Sequence, residues 1–108
     1  MKKAIERYLV LRNYDIIADI ADDVIAAYDM DVDQVVIIKW GVSDEDFEVA
    51  PLSSEEFEKM TMSFLKDHDD YVDICIRHDV VDLIVIKSTR GFIRHHINVF
   101  GSDDYVDI

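Results

Sequence analysis

Val35-Val36-Ile37-Ile38 sets four β-branched apolar residues in a row, and Lys39-Trp40 closes the run. β-branched side chains favour extended backbone, and successive side chains of a strand point to opposite faces. A strand that is apolar on both faces has to be covered on both. Residues 35–40 therefore read as a central strand in a mixed sheet flanked by helices. Upstream, residues 22–28 form a second strand candidate. Tyr14, Ile16, Ala18 and Ile20 alternate with partly polar residues, as a half-buried strand does. Residues 3–13 carry Ile5, Tyr8, Leu9 and Arg12 on one helical face. Downstream, an acidic loop over 41–52 leads to Ser53-Ser54-Glu55-Glu56, the pattern of a capping box with Ser53 as N-cap. Phe57, Met60, Phe64 and Leu65 then give an amphipathic helix ending near His68. Residues 71–76 and 80–87 are β-rich, Ser88-Thr89-Arg90-Gly91 reads as a turn, and residues 92–100 as a last strand. The order is α-β-β-β-α-β-β, an α/β or α+β layer fold.

The chain has 108 residues, half of them apolar, which suits one domain with a core that needs no disulfide or structural metal. Three glycines and one proline leave no room for a long linker. Residues 1–101 are expected to form that domain, and 102–108 an acidic C-terminal tail. Asp and Glu number 24 against 11 Lys and Arg, for a net charge of −13. Such a chain is repelled by phosphate backbones and by anionic membranes, so a nucleic-acid or membrane partner is disfavoured. Met1-Lys2-Lys3 is followed by no sustained apolar stretch, and no run approaches the ~20 residues of a membrane span. The expectation is a cytoplasmic protein. Asp69-Asp70-Tyr71-Val72-Asp73-Ile74 recurs letter for letter at 103–108. If the first copy begins a strand, the second has the same alternation and offers strand addition between two copies, a route to a homodimer.

Three segments carry a family resemblance. Ala4-Ile5-Glu6-Arg7-Tyr8-Leu9 leads into Asn13-Tyr14-Asp15-Ile16-Ile17; Arg77-His78-Asp79-Val80-Val81 follows later; Ile93-Arg94-His95-His96-Ile97-Asn98-Val99-Phe100 comes near the end. In order and spacing they resemble the YraN-like family, over essentially residues 4–101. The resemblance implies a restriction-endonuclease-like core of the PD-(D/E)xK superfamily. It also implies a site with Gly-Glu-x-Asp on one strand and Glu-x-Lys on the next. There the two carboxylates hold Mg²⁺ and the Lys stabilises the attacking hydroxide or the charged phosphate.

This chain departs from that pattern at the chemistry. Asp23, before Val24-Ile25-Ala26, matches the metal-binding Asp, but Ile20-Ala21 replaces the preceding Gly-Glu. On the next strand two registers are open. Either Lys39 takes the place of the Glu, or Lys39 matches the Lys and Ile37 replaces the Glu. Lys2 falls where the first helix of the family has a Glu, and Glu6 is offset. Asp23 and Lys39 are thus expected as a remnant site, an ion pair in place of a divalent-metal site.

Other constellations carry less. Ser53, Ser54, Ser88 and Thr89 lie in no nucleophile elbow, and Gly91 stands alone, without a phosphate-binding loop. Cys75, the only cysteine, is expected as a buried or half-buried structural thiol in a strand. His95 and His96 are adjacent, so in a strand they point to opposite faces; either one would need His68 or His78 to build a metal site. Residues 83–102 contain no Asp or Glu but hold Lys87, Arg90, Arg94, His95 and His96. This is the one candidate ligand or partner patch, and the simpler expectation is that its residues pair with the chain's own acids.

The function expected from these features is a nuclease-fold protein that is catalytically inactive and acts as a protein-interaction or structural module. It needs no cofactor, and its partner is another protein or a second copy. The alternative is a Mg²⁺-dependent endonuclease built on Asp23 and a carboxylate from elsewhere. A weaker alternative is an acidic DNA mimic.

Overall fold

The apolar run is the middle of strand β3 (Gln34–Ser43), and β3 is the middle strand of a five-stranded mixed sheet ordered β1-β2-β3-β4-β5. The computed structural model describes residues 1–44, 48–87 and 90–100. β1 (Tyr14–Ala21), β2 (Val24–Asp29) and β3 form an antiparallel meander. β4 (Ile76–Lys87) pairs parallel with β3, Val35 opposite Ile76 and Lys39 opposite Val80. A parallel neighbour requires a crossover, which helix α2 (Ser54–Asp67) supplies. β5 (Arg90–His96) returns antiparallel along β4. The protein is α+β, and its helices and strands follow the order α-β-β-β-α-β-β, with a short 3-10 helix between α2 and β4 where residues 71–76 read as β-rich.

The lack of alternation in β3 has the predicted cause. Val36 and Ile38 pack with Ile25, Ala27, Tyr14 and Val81 beneath Ile5 and Leu9 of helix α1 (Lys2–Leu11). Val35 and Ile37 pack with Val24, Ala26 and Leu52 beneath Phe64 of α2. Each helix thus covers one face of the strands that carry apolar residues on both. α1 stops where Asn13 takes a positive φ of 69°, a conformation that Asn tolerates better than most residues. α2 starts on the expected capping box: the Glu56 N–H donates to Ser53 Oγ at 3.1 Å, and the Ser53 N–H donates to Glu56 Oε1 at 3.0 Å.

Three expectations need correction. Residues 71–76 do not form a strand. Asp69–Tyr71 is a short 3-10 helix, and the Ile74 N–H donates to the Tyr71 carbonyl at 3.1 Å. The aromatic and branched residues there fill space at the end of α2, where the Tyr71 ring lies 5.6 Å from Phe64 and 6.2 Å from Tyr28. Cys75 is consequently exposed on the approach to β4, not buried in a strand. The last strand ends at His96, short of residue 100. Asn98 adopts a positive φ of 56°, and its N–H leaves the ladder to donate to Asp79 Oδ1 at 2.8 Å.

Because the first Asp-Asp-Tyr-Val-Asp-Ile copy is not a strand, the premise of strand addition fails for that copy. The second copy, the rest of the 102–108 tail, and Ser88-Thr89 of the expected turn lie outside the described residues. Among the described residues no helix is long and apolar enough to cross a membrane.

Candidate functional site

Asp23 sits in the turn between β1 and β2, and Lys39 lies opposite Val24 on β3. The ladder fixes this neighbourhood, since the Trp40 N–H donates to the Asp23 carbonyl at 3.0 Å. The Lys39 ammonium donates directly to Asp23 Oδ2. Both residues border a shallow cavity of about 330 Å³, shared with Trp40, Gly41 and Glu48. Ile37, where one register of the resemblance would put the second carboxylate, is wholly buried, as is Ile38 on the opposite face of the sheet. Lys39 is thus paired with the carboxylate that the resemblance assigns to a metal.

The five residues of the basic stretch separate. Arg94 places Nε and Nη2 at 3.3 and 3.2 Å from Asp82 Oδ2, and Nη2 lies 3.6 Å from Glu48. His96 Nε2 is 3.5 Å from the same Asp82 oxygen. His95 points to the other face, as adjacent strand residues must, and its Nε2 is 2.7 Å from Asp79 Oδ2. Lys87 and Arg90 are exposed at the far end of the β4–β5 hairpin and form no ion pair among the described residues. The patch is thus mainly internal pairing, with two cations left on the hairpin.

His68 and His78 do not join His95 or His96. His68 stacks on Phe64 at 4.7 Å between centroids. His78 is fully buried: its Nδ1–H donates to the Ile37 carbonyl at 2.8 Å, and its Nε2 accepts from the Leu52 N–H at 3.0 Å. Burial holds its pKa below the usual histidine value.

The largest polar constellation lies under α1 and was not anticipated as a site. Arg77 and Asp79 are two apart on β4 and share a face. Arg77 Nε donates to Asp79 Oδ1 at 3.0 Å and Nη2 to Oδ2 at 3.1 Å. The same guanidinium reaches Asp29 at 2.8 Å, Gln34 at 2.9 Å and the Tyr14 hydroxyl at 2.5 Å. Asp79 has no exposed surface and also takes the His95 and Asn98 donors. His95 Nδ1 lies 3.0 Å from the Tyr8 hydroxyl of α1. Every strand and the first helix contribute to this network.

Its electrostatics favour a fixed structure. Burial opposes ionisation of Asp79, but the His95, Arg77 and Asn98 hydrogen bonds outweigh it and lower the pKa. Burial also works against the Arg77 charge, and the hydrogen bonds and charges of Asp79 and Asp29 more than restore it. Burial raises the Tyr8 and Tyr14 phenols, which keeps both protonated as donors. Asp79–His95–Tyr8 has the connectivity of a catalytic triad, but a phenol with a raised pKa is a poor nucleophile. The arrangement clamps α1 onto the sheet. The sequence signal was Arg77-x-Asp79 inside an apolar strand, since charges on a core face must be paired.

Comparison with protein-family models and with curated proteins finds no match to the chain.

Proposed function

We propose that the chain is a restriction-endonuclease-like protein whose metal site has been lost and which works as a protein-interaction or structural module. The observation that carries this reading is the Lys39–Asp23 ion pair beside the buried Ile37 and Ile38. A phosphodiester-cleaving site of this type needs two carboxylates on one ion with a Lys free to act on the phosphate. Here the Lys is committed to the one remaining carboxylate. The element order and the parallel β3–β4 pair support the kinship with that fold. The net charge of −13 adds repulsion of a polyanionic substrate.

The surface suited to a protein partner is the hairpin end. Val85, Ile86 and Phe92 are 40, 58 and 51% exposed there, beside Lys87 and Arg90. Exposed apolar side chains beside two cations that form no ion pair among the described residues offer a contact surface for a protein partner.

The deciding experiment incubates the purified full chain with plasmid DNA and with RNA, in Mg²⁺ and in Mn²⁺. No cutting above background is expected. Cleavage that disappears in Asp23→Asn would restore the metal-dependent endonuclease reading.

A further inference from the structure

We infer that Glu48, Asp82 and His96 form a binding site for a divalent transition-metal ion of the Zn²⁺ class. The site lies on the α2 face of β4 and β5, next to the cavity that Glu48 shares with the Asp23–Lys39 pair, and it does not depend on the nuclease kinship. One ligand atom from each of the three residues lies within 4.8 Å of the others. No other three His, Cys, Asp or Glu side chains among the described residues are gathered this closely.

The second observation is independent of that proximity. The Asp82 side chain is only 1% exposed, and its Oδ1 accepts no hydrogen bond among the described residues. A buried carboxylate oxygen without a partner is costly and calls for an ion or a water. Arg94 binds only the other oxygen, Oδ2, which leaves the Oδ1 lone pairs available. An arginine on the outer oxygen of a ligating carboxylate is the kind of support that orients metal ligands.

The imidazole of His96 is not committed to Asp82 by a direct hydrogen bond. His96 Nε2 and Asp82 Oδ2 are 3.5 Å apart, beyond an ordinary hydrogen bond. Glu48 is 68% exposed and joined to Arg94 only at 3.6 Å, so it can swing inward at little cost. One imidazole and two carboxylates suit Zn²⁺ better than Mg²⁺, which prefers an all-oxygen shell. Three protein ligands leave a fourth position, and a cavity of about 500 Å³ bordered by Glu48, His96, Val80 and Ile97 gives water access to it.

The test is calorimetric titration of the full chain with ZnCl₂ and, separately, MgCl₂ at 0.15 M salt, which screens diffuse attraction to the acidic surface. The expected result is one Zn²⁺ per chain, bound at least tenfold more tightly than Mg²⁺. His96→Gln and Glu48→Gln should each weaken Zn²⁺ at least tenfold, whereas Asp73→Asn, which removes one exposed charge elsewhere, should not. Both site variants change solvent-accessible side chains, so they test the site without the folding risk of Asp82→Asn. The imidazole resonances of His96 should shift on Zn²⁺ addition. Absence of saturable Zn²⁺ binding, equal affinity for Mg²⁺, or unchanged binding in His96→Gln would overturn the assignment.

Discussion

Replacing Asp79 by Asn tests whether the network beneath α1 holds the fold together. The carboxylate receives Arg77 at 3.0 and 3.1 Å, His95 at 2.7 Å and the Asn98 N–H at 2.8 Å, with no exposed surface. Asn preserves the shape but presents an amide N–H₂ where one oxygen stood, so that donor faces donor, and it removes the charge opposite Arg77. Breaking a buried pair in this way costs roughly 3–5 kcal/mol. Arg77 keeps Asp29 at 2.8 Å, which places the loss at the lower end, about 3 kcal/mol. At roughly 4–8 °C per kcal/mol, Tm should fall by about 12 °C or more. Urea denaturation at pH 7 gives the free energy, and repeating it across pH 3–7 tests the cause. The Asp79 pKa is lowered on folding, so its contribution is present above the unfolded aspartate value of about 3.9 and fades as pH falls through the folded value. The gap between wild type and variant should therefore narrow below about pH 4. A loss under about 1 kcal/mol at pH 7, or a gap that stays constant into acid, would refute the account.

Two further outcomes test the helices. Phe64 is 2% exposed and fills the α2 face, so Phe64→Ala should cost roughly 3–5 kcal/mol in chemical denaturation; a surface-like change would remove it from the core. Ser53→Ala deletes the Oγ that accepts the Glu56 N–H and should cost about 0.5–2 kcal/mol, read as a shift of the urea midpoint with unchanged slope.

The parts of the fold that could be read from the sequence are those whose causes are local. The capping box at Ser53 is satisfied by atoms three residues apart, and the helix behind it follows. The apolar run of β3 needs two covering layers whatever the covering elements are, so its central place followed from composition alone. Residues 71–76 have strand-forming composition, yet Val72 and its neighbours turn because the chain must leave α2 and enter β4 beside Val35. The Cys75 carbonyl accepts from the Val35 N–H at 2.9 Å at that entry point. That requirement comes from the crossover, and local propensity does not carry it.

The site followed the same division, and parity along β4 explains why. Arg77, Asp79 and Val81 face α1, whereas His78, Val80 and Asp82 face α2. The alternation was visible in the sequence, and so was the consequence that His95 and His96 diverge. The identity of each partner was not visible, because register sets it. Pairing Val80 with His96 and Asp82 with Arg94 decides that the basic stretch of β5 meets the buried acids of β4. It also brings His96 to Asp82 across one ladder step, and the loop after β3 then adds Glu48. A shift of one residue in that register would turn every β5 side chain to the other face, separate His95 from Asp79, and dissolve both polar clusters at once. The clamp under α1 and the Glu48–Asp82–His96 cluster are thus two consequences of a single strand register, read on opposite sides of the sheet.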